Sequence, residues 1–258
     1  QEPQVSQTAV GGSLFNFYGF VCDGYYTSKE DIENSPTPLH PAVNGVYDKK
    51  STVWVGDIKY KDLSGPDGVP DGKIDAYDRT NIGSPLPDFT FGWTNTFRWN
   101  NFDLNIFING SYGNKVGNYN KYKLTHMSNT WINQLSDVLD ATHLVAIDAT
   151  KDYSAGVDRG DGGLIYNWYD DINNVRIGNP GAALPRMSMN DPNDNDRWSD
   201  RYIEDGSYMR LKNISLGYTF PKKLVRKLYL ETLRVNINIQ NLLTITKYDG
   251  YDPEVGIS

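Results

Sequence analysis

Residues 89–112 read Phe89-Thr-Phe-Gly-Trp-Thr-Asn-Thr-Phe-Arg-Trp99, Asn100-Asn101, Phe102-Asp-Leu-Asn-Ile-Phe-Ile-Asn-Gly-Ser-Tyr112, and this stretch decides the fold. In its first half Phe89, Phe91, Trp93, Phe97 and Trp99 share one parity; Thr90, Gly92, Thr94, Thr96 and Arg98 take the other. A period of two is that of a strand, whose successive side chains point to opposite faces. Asn100-Asn101 supplies a tight turn. In the second half Phe102, Leu104, Ile106 and Ile108 face one way. Asp103, Asn105, Asn109 and Ser111 face the other, with Phe107 as an apolar exception. Two such strands across a two-residue turn make a β-hairpin.

The pattern returns near the C-terminus. Ile214, Leu216, Tyr218 and Phe220 alternate with Ser215, Gly217 and Thr219. After the basic connection Lys222, Lys223, Arg226, Lys227 comes the longest run. It places Leu233, Val235, Ile237, Ile239, Leu243 and Ile245 opposite Arg234, Asn236, Asn238 and Gln240. Asn241 breaks the apolar parity once. Strands are therefore expected at about 88–112 and 207–248. Aromatics gather at strand ends (Phe89, Trp99, Phe102, Tyr112, Tyr218, Phe220, Tyr248). Runs of ~9–11 residues with aromatic ends suit a transmembrane β-barrel. A half-buried sheet of a soluble sandwich also alternates, so both architectures stand at this point.

The composition narrows the classes. The chain has 258 residues, 25 basic and 32 acidic, for a net charge of −7. Such acidity disfavours binding to nucleic-acid phosphates. Mean hydropathy is −0.57, and no apolar run approaches the ~20 residues of a membrane helix. Barrel strands escape that test, because they alternate. The N-terminal Gln1-Glu-Pro-Gln shows no signal peptide. Cys22 is the lone cysteine. No intrachain disulfide can form, and a buried small hydrophobe is the expected role.

Residues 113–200 differ from their flanks. They are polar and rich in Gly, Asn and Asp, with a helix expected at 131–144 from Ile132, Leu135 and Leu139. A segment of that length is an inserted lobe or a large surface loop.

The sharpest local motif is Asp67-Gly-Val-Pro-Asp71-Gly72-Lys73-Ile74-Asp75-Ala-Tyr-Asp78. Against the calcium-binding EF-hand loop, Asp67 takes position 1, Asp71 position 5 and Gly72 position 6. Lys73 would offer its carbonyl at 7, with Asp75 at 9 and Asp78 at 12. Val69 and Pro70 depart from the pattern, as does Asp in place of Glu at the end. Asp62 could supply a missing oxygen. Calcium and a merely solvated acidic turn are both open readings. A second cluster, Asp191, Asp194, Asp196 and Asp200, lacks ligand spacing and reads as a solvated loop. His40, His126 and His143 stand too far apart for zinc. No nucleophile elbow, phosphate loop or dinucleotide fingerprint occurs. Arg159-Gly-Asp161 carries no weight alone. Carboxylate pairs for glycoside hydrolysis depend on a separation that sequence does not show. Tyr119, Tyr122, Trp131, Tyr153, Tyr166, Trp168 and Tyr169 could stack on sugar rings or peptide side chains, or pack the loop against itself.

Several blocks together resemble the C-terminal part of the SusC/RagA family of TonB-linked outer-membrane proteins. They are Phe17-Tyr-Gly-Phe20 with Asp23-Gly24; Gly56-Asp-Ile-Lys-Tyr-Lys-Asp62 through Asp78-Arg-Thr80 and Ile82-Gly83; and Pro87-Asp-Phe-Thr-Phe-Gly92. Then follow Arg197-Trp-Ser-Asp-Arg-Tyr-Ile-Glu-Asp-Gly-Ser-Tyr-Met-Arg-Leu-Lys-Asn213, Leu233-Arg-Val235 to Gln240-Asn-Leu242, and Lys247-Tyr248 to Glu254. The resemblance implies an all-β fold: antiparallel strands from a 22-stranded transporter barrel, with long extracellular loops. It implies a non-enzymatic nutrient importer in the outer membrane of a Gram-negative bacterium. Its partners would be a SusD-like surface lipoprotein, TonB acting through a missing N-terminal part, membrane lipid, and a glycan or peptide cargo. Neither plug nor TonB box is found in 1–258, so a fragment of the late barrel is expected. The compact turns at 100–101 and 222–231 would be periplasmic. The 113–200 region and the acidic 62–78 loop would then be extracellular. A soluble β-sandwich that binds glycan, and a β-rich hydrolase, remain the alternatives.

Overall fold

The computed structural model describes residues 5–127 and 131–254. The chain divides into two compact units, Gln1–Gly83 with Asn118–Ile203, and Ser84–Gly117 with Glu204–Ser258.

The second unit is built on a four-stranded antiparallel sheet. Its strands are β1 (Phe89–Trp99), β2 (Phe102–Tyr112), β3 (Tyr208–Thr219) and β4 (Arg234–Thr246). They lie in spatial order β4-β3-β2-β1, which is also chain order, so the sheet runs up and down. The β1–β2 turn is tight, with Asn100 at φ +52°, a left-handed conformation that asparagine tolerates. The β3–β4 connection follows Pro221 through a short helical turn, Lys222–Val225. Thr219 N–H donates to Asn101 O, and Phe220 N–H to Leu233 O, so both short connections sit at one end of the sheet.

Register keeps the apolar side chains together. Trp93, Ile108, Leu211 and Leu243 form one cross-strand row; Phe97, Leu104, Leu216 and Ile237 form another. A bulge preserves this alignment. One residue, Phe107, separates Ile106 from Ile108 in β2. Two separate Leu211 from Ile214 in β3, and three separate Ile239 from Leu243 in β4. The bulge lies at Lys212 and at Asn241, whose φ is +51°. It explains why apolar parity switches within β3 yet survives in β4, and why Asn241 stands where a hydrophobe was due. Asn95, opposite Ile106, is the polar exception on this face.

In the first unit, residues from both parts of the chain share one core. Tyr26, Ile32, Tyr47, Val53, Trp54 and Val55 pack with Ile172 and Val175. Tyr122, Trp198 and Tyr202 form another cluster, with Tyr122 edge-on to both other rings. The 113–200 region is thus no free loop: most of it folds with residues 5–83 around a common interior. The helix expected at 131–144 does not form. Leu135 is extended, and only Ser136–Asp140 makes a 3-10 turn. Leu139 is 88% exposed, so the apolar spacing had no surface to bury against, and burial is what sustains a short helix. Residues 128–130 lie just outside the described part.

Candidate functional site

The functional feature of the sheet is its apolar face, which is turned outward. Trp99 is 73% exposed, Ile237 58% and Trp93 55%, and Phe89, Phe97, Val235, Leu243 and Ile245 are similarly open. A continuous patch of this kind demands a covering phase or partner. Aromatic rings bracket the patch. At the short-turn end Trp99, Phe102, Tyr218 and Phe220 follow one another at centroid distances of 6.5, 4.5 and 4.8 Å. At the other end Phe89 stacks on Tyr112 at 5.4 Å. Phe102 and Tyr112 are ten residues apart, about 33 Å along a strand. At a barrel tilt of about 40° that spans about 25 Å, the height of the apolar band of a membrane barrel. The opposite face is polar and internally paired. Arg234 meets Asp103 at 2.7 Å, Asn105 donates to Thr96 at 2.9 Å, and Ser215 to Asn236 at 3.0 Å.

The acidic 62–78 loop is held by its own backbone. Asp62 accepts from Gly72 N–H at 2.6 Å and from Asp71 N–H at 3.3 Å. Asp71 accepts from Lys73 N–H, and Asp75 from Tyr77 N–H. Asp78 is fully buried and accepts from Leu63, Ser64 and Asp75 N–H groups. Asp75 and Asp78 thereby close a capping box around the turn Ala76–Asp78. Among the described residues no three of the His, Cys, Asp or Glu side chains are grouped to hold a metal ion. Of the expected ligands Asp67, Asp71, Lys73, Asp75, Asp78 and Asp62, the carboxylates of Asp62, Asp71, Asp75 and Asp78 accept from main-chain N–H groups.

The 191–200 segment, by contrast, is not a solvated loop. Asn193 and Asn195 are buried against Gly56-Asp57-Ile58. Asp57, wholly buried, receives Arg186 at 2.6 and 3.0 Å, Asn195 at 3.0 Å and Trp54 N–H at 2.8 Å. Asn195 also donates to Asp191 at 2.7 Å and accepts from Ile58 N–H at 2.7 Å. Cys22 donates its N–H to Asp200. Burial pushes the Cys22 thiol up to about 12, which leaves it protonated and inert at neutral pH. Burial, reinforced by the charges of Asp57 and Asp196, raises the Asp191 carboxyl to about 7. A raised acid contributes stability below its unfolded pKa and loses it as pH climbs through the folded value. Asp191→Asn keeps an acceptor for Asn195 without the charge. It is expected to stabilise this unit by on the order of 1 kcal/mol at pH 8 and negligibly at pH 4. Melting curves of the two proteins across that range would check this.

The loop aromatics divide. Tyr122 and Tyr153 are buried, Tyr153 donating to Asp171 at 2.9 Å. Trp131, Tyr119, Tyr166 and Tyr169 are exposed. An open cavity of about 680 Å³ is lined by Lys50, His143, Tyr169, Met187 and Met189 among others. Arg159 and Asp161 pair with each other at 2.6 Å and form a local turn.

An open antiparallel sheet with one aromatic-bracketed apolar face and one paired polar face is a piece of barrel wall. No family model matches the chain. Relatives do. It is 30% identical over 244 residues to TonB-dependent receptor P3 of Formosa agariphila, covering 95% of this chain and 19% of that protein. It is 29% identical over 274 residues to receptor P39 of the same organism, covering 95% and 22%. The TonB-dependent receptor SusC of Bacteroides thetaiotaomicron is 26% identical over 185 residues, covering 71% and 14%. Among solved structures, the RagAB peptide transporter superposes with a TM-score of 0.54 at 21% identity, covering 95% of this chain and 21% of that one. Along 95% of its length the chain is similar to TonB-dependent receptors, and it spans about a fifth of the length of the first curated relatives it matches.

Proposed function

We propose that this chain forms late barrel strands and outer loops of an outer-membrane nutrient importer. The observation that carries the reading is the exposed apolar face between two aromatic bands, on a chain related throughout to TonB-dependent receptors. Lipid covers that face, and the polar face lines a wet lumen. The two short connections at one end of the sheet are periplasmic. The other end, where β2 leaves for the 113–207 connection, is extracellular. The parent works with a SusD-like lipoprotein and is driven by TonB. Its cargo is a glycan or an oligopeptide; the RagAB relative is named a peptide transporter. Its work is gating rather than bond chemistry, so no residue is assigned a catalytic role. The sandwich reading fares worse, since it leaves the apolar face in water.

The experiment is purification of the full-length parent with and without detergent. It is expected to aggregate on detergent removal and to recover on transfer to lipid. A monodisperse parent in plain buffer would overturn the membrane reading. Calcium in the 62–78 loop is a separate proposal, carried by spacing alone. It requires Asp62, Asp71 and Asp78 to exchange backbone N–H partners for the cation. Heat on calcium titration, lost in Asp71→Asn/Asp75→Asn, would support it, and no heat would remove it.

A further inference from the structure

The chain beyond β4 folds back on the sheet. Eight further residues of extended strand would carry Glu254 roughly 26 Å past Thr246. Instead Glu254 meets Arg210, whose direct neighbour in the ladder is Thr244. Arg210 is the anchor. Its side chain is 6% exposed although it lies on the polar face. Its Nε donates to Thr244 Oγ1 at 2.9 Å, and its two terminal nitrogens donate to Glu254 at 2.7 Å and to Asp252. Lys212, the bulge residue, reaches both Glu254 oxygens at 2.8 and 2.7 Å. Glu254 N–H donates to Asp252, so the two carboxylates are preset in one turn. Asp249 N–H donates to Glu204, which ties down the near end of the segment.

The structure assigns to Arg210 and Lys212 an ionic latch that holds residues 247–254 folded inward over the polar wall, at the long-loop end of the sheet. The charges match, two cations against two carboxylates. The geometry is also asymmetric. The arginine is buried, whereas the Asp252 and Glu254 side chains are 49% and 36% exposed. The mobile partner is therefore the acidic segment, which can leave into water and take its charge with it. The cations stay on the wall. Pairs this close to solvent weaken with ionic strength, so the latch can open without unfolding any strand. The inward direction rests on the polar face being the lumen wall. On that reading the latched segment narrows the outer mouth and its release widens it.

Hydrogen exchange on the detergent-solubilised full-length parent tests the latch. Arg210→Met and Asp252→Asn/Glu254→Gln are each expected to speed exchange of the 248–254 amides at least tenfold, leaving 102–112 unchanged. If Arg210→Met also loosens 102–112, the carboxylate variant decides, because it leaves every strand residue in place. Unaltered exchange of 248–254 in that variant would overturn the latch, as would a wild-type segment already exchanging at the unprotected rate. A parent that proves soluble without detergent would defeat the barrel reading while leaving this result standing.

Discussion

Arginine in place of Ile239 is expected to cost the folded parent about 2–4 kcal/mol in a lipid bilayer, the penalty for a cation near the midplane of a barrel's lipid face. Ile239 is 41% exposed and stands in the row Asn95, Ile106, Ile214, Ile239, close to halfway between the two aromatic bands. The penalty arises because no water reaches that depth and a side chain there must snorkel or carry a water defect with it. Asn238→Arg, one residue away on the polar face, is the control and should change stability little. Denaturant unfolding from vesicles measures both. A soluble sheet whose apolar face meets water would tolerate Ile239→Arg at least as well as Asn238→Arg, so equal effects would contradict the assignment of faces.

The second large effect lies in the loop-built unit. Asp57→Ala should destabilise it by about 3–5 kcal/mol, the range for breaking one side of a buried ion pair. Asp57 is wholly buried and Arg186 is 8% exposed, so truncation strands a guanidinium with no water to replace its partner. The same change orphans the Trp54 N–H and one donor of Asn195. Arg186→Met should be damaging for the converse reason. The double variant is expected to fall well short of the summed costs, because neither charge is then left alone. Thermal melts and limited proteolysis of the parent would show cleavage within 26–60 for the single variants and less for the double. Full additivity would mean that the pair is not coupled.

The sheet was legible because alternation is a local signal that the pleat converts directly into two faces. Phe89 to Trp99 and Phe102 to Ile108 declare their sides without reference to anything distant. The bulge was legible only as an anomaly. Asn241 broke the pattern, but its meaning needed β3 alongside, with Lys212 opposite the extra residues. The Asp57 network left almost no mark. Its partners Arg186, Asn193 and Asn195 lie some 130 residues away in sequence, and an Asp-Asn-rich stretch reads as solvated although its two asparagines are buried and hydrogen-bonded. Asn193 and Asn195 flanking Asp194 were the only hint, since amides can satisfy buried backbone that carboxylates cannot. In the acidic 62–78 loop the ambiguity runs the other way. Spacing suited to oxygen ligands is equally suited to carboxylates that cap main-chain N–H groups, and Asp78 does the latter. The spacing of Ile132, Leu135 and Leu139 likewise promised a helix, but Leu139 found only solvent.

The central claim is that the two faces of this sheet meet two different solvents. Nitroxide scanning of β4 in the full-length parent, reconstituted in lipid, tests it residue by residue. Labels at 235, 237 and 239 should be accessible to dissolved oxygen and shielded from a polar nickel chelate. Labels at 236, 238 and 240 should show the reverse. Equal access of the chelate to both sets would place the apolar face in water and contradict the membrane barrel.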